Sequence, residues 1–196
     1  MPRTFLAAIF DLDGVLTDTA SVHARAWKEL VDPMLAEPFD LLDDYRKYVA
    51  GWPRVAGIRN FLKSRGITLA EDALIDLAAR KNELYLRYLR EDGVRVNPEM
   101  VAKIASYKAA GMKIAIASGS KNAKFVLANA KLSDIGMIVD GNDVEALHLR
   151  PKPAPDIFIH TAKQLGVPLE QCIVFEDSED TLAQVGPAHG VLVVYP

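Results

Sequence analysis

The stretch AAIFDLDGVLTDTA, residues 7–20, sets three aspartates within eight positions of a short apolar run. Ala7, Ala8, Ile9 and Phe10 ask for burial, yet acid stands at the exit. On an extended backbone Asp11 and Asp13 lie on one side while Leu12 turns to the other, so two like charges are held close and need a counter-charge. In open α/β sheets ligands bind outside the carboxyl ends of the strands. The acid at this exit therefore takes its meaning from whatever sheet the rest of the chain builds around residues 7–10.

Further apolar runs of strand length occur at 113–117, 137–139, 172–175 and 191–195, the first run extending over 5–10. Amphipathic segments at 98–110, 121–131, 155–165 and about 178–189 alternate with them, and Gly111, Gly166 and Gly190 follow three of these as helix stops. All-apolar strands alternating with helices describe a parallel sheet covered on both faces. The pattern predicts an α/β fold, a doubly wound, parallel, five-stranded Rossmann-like core. Between the first two strands lie about a hundred residues, too many for a simple crossover, with helical periodicity at 21–35, 40–49, 55–64 and 71–90. We read them as an inserted helical cap over 19–94, with the core formed by 1–18 and 95–196.

The bulk properties narrow the partners. A formal charge of −3 and a pI near 5.8 provide no broad basic field, so neither nucleic acid nor an anionic membrane is expected as a partner. No apolar run approaches the ~20 residues needed to span a bilayer, and no signal-peptide h-region is visible at the start, which together predict a cytoplasmic location. A single cysteine, Cys172, excludes an internal disulfide and reads as core packing. The sequence assigns no oligomeric state.

The strand ends agree on one chemistry. Asp11, Asp13, Glu176 and Asp177 form an all-oxygen set suited to a hard divalent ion, Mg²⁺. The four histidines, 23, 148, 160 and 189, have no ligand-like spacing. Ser118 follows the second strand, and prolines 151 and 153 hold Lys152 in a stiff loop. Carboxylates, a metal, a hydroxyl and a fixed lysine suit phosphoryl transfer, in which one aspartate can act as nucleophile. Each site alone also reads as a turn or helix cap, Asp-Gly being a common turn dipeptide; the agreement of four strand-associated sites favours the chemistry. Two other features keep two readings each. Ser120, Lys121 and Asn122 open a helix, either as a cap or as an anion site, and Lys81 falls on the apolar stripe of 71–90, where it either snorkels to solvent or meets an anion.

DLDGVLTDT, Ser118, Lys152 in KPAPD, and FEDS resemble the four motifs of haloacid dehalogenase-type phosphotransferases, in order and over nearly the whole chain. DGVLTDTASVHARAW, ARKN, ASGSKN and KPAPDIF resemble the β-phosphoglucomutase group within that family. The resemblance implies Asp11 as nucleophile, Asp13 as general acid/base with its backbone carbonyl on the metal, Asp177 and Glu176 as further metal ligands, and Ser118 and Lys152 on the transferring phosphate. It also implies Arg54, Ser120, Lys121 and Asn122 around a second phosphate, Lys81 and Asn82 facing substrate from the cap, and Thr19 and His23 near the hinge. The implied activity interconverts hexose 1-phosphate and hexose 6-phosphate, primed by a hexose 1,6-bisphosphate. A phosphatase acting on small phosphomonoesters such as sugar phosphates, and a non-catalytic phospho-ligand-binding protein, are the alternatives. Three departures from the group's pattern stand out: Ala50-Gly51-Trp52 in the cap loop, Glu179-Asp180-Thr181 after FEDS, and a chain ending at Pro196.

Overall fold

Ala7, Ala8, Ile9 and Phe10 are fully buried and form β1 (Ala7–Phe10), the middle strand of a parallel sheet. The structure is a computed structural model that describes residues 4–49, 52–189 and 192–194. Ala50 and Gly51 of the cap loop, the expected stop Gly190, and Val191, Tyr195 and Pro196 at the end of the chain lie outside the described residues. The other strands are β2 (Lys113–Ala117), β3 (Met137–Val139), β4 (Cys172–Phe175) and β5 (Leu192–Val194), in the spatial order β3-β2-β1-β4-β5. Starting in the middle, the chain builds outward to one edge and then returns to build the other, so the order reverses beside β1. That is where an open α/β sheet leaves a crevice. Phe10 pairs in register with Ile116 on β2 and with Phe175 on β4. The Phe10 and Phe175 rings stack with centroids 4.4 Å apart, a contact worth about 0.5–1.5 kcal/mol beyond burial. This fixes the level at which Asp11 and Glu176, the next residue on each strand, leave the sheet.

The chain divides into two compact units, Met1–Asp18 with Val94–Pro196, and Thr19–Gly93. The second is helical: α1 (Ala20–Val31), α2 (Arg54–Ser64) and α3 (Glu71–Asp92), with a 3₁₀ turn at Asp32–Met34 and a π-helical turn at Tyr45–Val49. Its core joins Trp27, Leu30 and Val31 of α1 to Ile58, Phe61 and Leu62 of α2 and Leu74 and Leu77 of α3. The helix expected over 21–35 stops early, because Pro33 lacks the N–H to continue it. The one expected over 40–49 is regular only toward its end. There Asp40 Oδ1 accepts from Leu42 N (2.8 Å) and Asp43 N (2.7 Å), diverting the backbone groups that a helix start would use.

In the first unit α4 (Pro98–Ala109) starts at Pro98, with Asn97 accepting from Glu99 N and Met100 N as N-cap. Next come α5 (Ala123–Asn129), α6 (Gly141–Ala146), α7 (Asp156–Leu165) and α8 (Glu179–His189). Ile157, Phe158, Ala162 and Leu165 of α7 pack with Ala7 and Ile9 of β1, Ala115 and Ala117 of β2, and Val139 of β3. Gly166, in the left-handed conformation at φ 65°, ends α7. The α6 helix was not among the expected elements. No described helix is long and apolar enough to cross a membrane.

Candidate active site

Asp11 follows β1 directly, and its backbone N–H donates to Phe175 O (2.8 Å), extending the ladder one step past the sheet. Its buried carboxylate accepts from Lys152 Nζ (2.5 Å), which also donates to Glu176 Oε2 (2.8 Å). Lys152 reaches this point from the loop before α7, where the Lys152–Pro153 bond is cis. Burial drives the Asp11 pKa well above the usual carboxylate range; Lys152 works against this, and the charges of Glu176 and Asp13 add to it. Asp177 is pushed up to about 6, first by burial and then by its hydrogen bond and like charge with Glu176. Burial disfavours the charged form of Lys152, but Asp11 and Glu176 outweigh it and hold the pKa above that of an ordinary lysine.

One lysine thus balances only part of this negative charge. Asp11, Glu176 and Asp177 each offer a ligand oxygen, all within 4.8 Å of one another. Three hard oxygen donors with excess negative charge fit a hard divalent cation. Gly14 makes room for them: at φ 98° it adopts a conformation that favours glycine, and a Cβ there would lie 2.1 Å from Asp177 Oδ2. The Asp13 carboxylate is not part of this oxygen group among the described residues; its backbone bridges to Thr17 within the turn after β1.

Ser118 leaves β2 on the same edge of the sheet, and it is 1% exposed. Its N–H donates to Val139 O (3.0 Å), and its Oγ accepts from Ser120 N (3.1 Å), leaving the hydroxyl proton to be donated. Ser120 Oγ in turn accepts from Asn122 N (3.2 Å), and this local bonding delays the start of α5 to Ala123, two residues past the expected start. Lys121 is ion-paired with Glu145 (2.7 Å). Glu179 and Asp180 are exposed in the first turn of α8, favourable for the helix dipole, while Ser178 Oγ accepts from Thr181 N (3.3 Å) and Oγ1 (3.1 Å).

The other expected residues belong to the second unit, where Lys81 and His23 meet. Lys81, 1% exposed, meets His23 Nδ1 at 2.5 Å, and its ammonium lies 5.1 Å and 4.9 Å from the Trp27 and Tyr85 ring centroids. It does not snorkel to solvent. His23 stacks on Tyr85 with centroids 3.9 Å apart; burial, then the charges of Lys81 and Arg54, hold its pKa well below the ordinary value. Thr19 is buried at the N-cap of α1, Arg54 opens α2, and Asn82 is partly exposed beside Lys81. Trp52 is an exposed ring just before Arg54. Sequence reasoning passed over Asp140, Gly141 and Asn142 at the start of α6, although Asp140 and Asp143 stand at capping-box spacing behind the apolar run 137–139.

Residues 5–189 match the haloacid dehalogenase-like hydrolase family. The chain belongs to the haloacid dehalogenase-like hydrolases. It is 39% identical to a β-phosphoglucomutase of Mycobacterium bovis, over 91% of this chain and 76% of that protein. Among solved structures it resembles the β-phosphoglucomutase of Clostridium difficile, with TM-score 0.82 and 27% identity, covering 98% of this chain and 91% of that one. It also resembles CbbY of Rhodobacter sphaeroides, crystallised in complex with xylulose-(1,5)bisphosphate, with TM-score 0.81 and 25% identity, covering 97% of this chain and 85% of that one. This haloacid dehalogenase-like hydrolase is a β-phosphoglucomutase-like enzyme of phosphoryl transfer, with a parallel α/β sheet and a helical insert.

Proposed function

We propose that this enzyme interconverts a hexose 1-phosphate and a hexose 6-phosphate in the cytoplasm, with Mg²⁺ at Asp11, Glu176 and Asp177 and the backbone carbonyl of Asp13. Residues 1–18 and 95–196 form the doubly wound phosphotransfer core in this reading, and 19–94 the cap. The observation that carries it is the 39% identity to a β-phosphoglucomutase over 91% of the chain, beside a site of Asp11, Lys152, Glu176 and Asp177 suited to phosphoryl transfer. A mutase must also hold a second phosphate, which a simple monoesterase need not. The β-phosphoglucomutase relatives support the same assignment.

The residues divide the work. Bound in the carboxylate group, Mg²⁺ would neutralise charge on the transferred phosphoryl oxygens and help keep the acids ionised. The Asp11 carboxylate attacks phosphorus, forming an aspartyl phosphate as the P–O bond to the departing sugar oxygen breaks. Asp13 gives that oxygen its proton. The Ser118 hydroxyl and the Lys152 ammonium hold the equatorial phosphoryl oxygens throughout. In the return step Asp13 takes the proton from the other sugar hydroxyl, which attacks phosphorus and frees Asp11. A hexose 1,6-bisphosphate is the species passed between the two steps. Ser120, Lys121 and Asn122 are given to its second phosphate, for which Lys121 must exchange Glu145, and Arg54 to recognition of the substrate. Thr19, at the start of α1, and Asn82, beside Lys81, are given to substrate binding.

A phosphatase reading finds support in the family match, which is to hydrolases. The test is β-glucose 1-phosphate incubated with Mg²⁺ and a trace of glucose 1,6-bisphosphate, with glucose 6-phosphate and inorganic phosphate measured side by side. The mutase produces glucose 6-phosphate with little free phosphate. Phosphate release from many esters without isomerisation of any hexose phosphate would transfer the assignment to a phosphatase.

A further inference from the structure

We propose that Gly141 and Asn142, at the start of α6, are positioning residues that set the phosphoryl-binding loop 118–122. The inference rests on the reading of Ser118 as a phosphate ligand and extends it to a helix that touches no reacting atom. Three bonds tie α6 to the loop: Gly141 N donates to Ser120 O (3.2 Å), Asn142 Nδ2 donates to Lys121 O (3.0 Å), and Lys121 Nζ pairs with Glu145 (2.7 Å). A fourth, Ser118 N to Val139 O (3.0 Å), ties the loop to β3.

Contact with the loop explains the glycine. Gly141 has no positive φ, so conformation does not demand it. Space does: a Cβ would lie 2.4 Å from Gly119 O, 2.9 Å from Lys121 N and 3.0 Å from Ser120 C, all backbone atoms that cannot swing aside. The helix is itself fixed from below. Asp140 is fully buried, its Oδ1 accepts from Asn142 N (2.8 Å) and Asp143 N (3.3 Å), and Asp143 Oδ2 accepts from Asp140 N (2.9 Å). Lys124 of α5 lies 3.4 Å from the other oxygen of Asp140, joining the far side of the loop to the same cap. A rigid bed thus sets the direction of the Ser118 hydroxyl, and catalytic geometry is sensitive at the scale of an ångström.

Gly141→Ala is the main probe, and Gly136→Ala its control. A Cβ on Gly136 would meet Ile114 O at 2.5 Å, an equal intrusion, but at the opposite end of β3 from the loop. With p-nitrophenyl phosphate as substrate and inorganic phosphate as competitive inhibitor, Gly141→Ala is expected to raise the phosphate Ki about tenfold or more, with the Mg²⁺ activation constant kept within about twofold. Gly136→Ala should lower the melting temperature without moving either constant. Equal effects of the two variants on Ki, or no effect of Gly141→Ala, would overturn the proposal. If Gly141→Ala fails to fold, Asn142→Ala carries the test, since it removes one bond and adds no bulk: a Ki raised about 2- to 10-fold supports the positioning role, and an unchanged Ki rejects it. Ser118→Ala separates the premise. A Ki unaffected by Ser118→Ala would bring down the phosphate-site reading and this proposal with it, whereas a Ki raised there but unmoved by the α6 variants would bring down the proposal alone.

Discussion

Asp11 is buried between groups that pull its proton in opposite directions, Lys152 on one side and Glu176 and Asp13 on the other. Asp11→Asn keeps the shape and removes the charge, so turnover should fall by about 10⁴-fold with the far-UV spectrum unchanged, as measured in steady-state assays with Mg²⁺. A second prediction at this scale concerns Lys81 and His23. Burial, then the Lys81 and Arg54 charges, hold His23 neutral in the fold, with its pKa well below the ordinary value near 6.5. In the range between the two values the unfolded chain binds more protons than the folded one. His23 therefore contributes stability that is complete above about pH 6.5 and is lost as the pH falls toward its folded pKa. Lys81→Met removes the charge and leaves the burial, so the pKa of His23, followed by ring-proton NMR, should rise but stay below 6.5. Methionine suits the stripe of Leu77, Ala78 and Tyr85, so stability should change by no more than about 1 kcal/mol. A histidine pKa indifferent to the substitution would mean that the contact does not persist in solution.

Elements differ in how far local pattern alone could specify them. The strand residues Ala7, Ala8, Ile9 and Phe10 were legible because a strand buried on both faces needs apolar side chains at every position. The α3 helix was legible from the spacing of Leu74, Leu77, Tyr85 and Tyr88, and Gly93 stops it two residues past the expected end. By contrast α6 has six residues, too few to display a 3.6-residue period, and only its capping box marked it. Asp140→Ala should lower stability by about 0.5–2 kcal/mol in urea titrations, the usual cost of a lost N-cap. At 40–49 periodicity misled, because the Asp40 side chain takes the N–H groups of Leu42 and Asp43. The site divides in the same way. The acids after β1 and β4 could be read from the sequence, while the fit of Asp177 against Gly14 and the pairing of Lys121 with Glu145 depend on segments distant in the chain.

At the scale of the molecule, the alternation of strands and helices was sufficient to specify a parallel α/β sheet with a helical insert between its first two strands. The carboxylates and Lys152 belong to one unit, and Lys81, His23 and Arg54 to the other. In the proposed reading the chemistry belongs to the first unit, and Arg54 of the second serves recognition of the hexose phosphate. Arg54→Ala should accordingly reduce hexose phosphate isomerisation at least about tenfold, the cost of a charge-assisted hydrogen bond, while hydrolysis of p-nitrophenyl phosphate stays within about twofold. The most direct test of phosphoryl transfer through Asp11 is a pulse and chase. The enzyme is labelled with Mg²⁺ and ³²P-acetyl phosphate, trapped with borohydride in one portion, and chased with unlabelled β-glucose 1-phosphate in another. The mechanism requires borohydride to convert residue 11, and no other aspartate, to homoserine, with the chased label appearing in glucose bisphosphate and glucose 6-phosphate. Label on another residue, or label released only as inorganic phosphate whether or not the sugar is present, would contradict it.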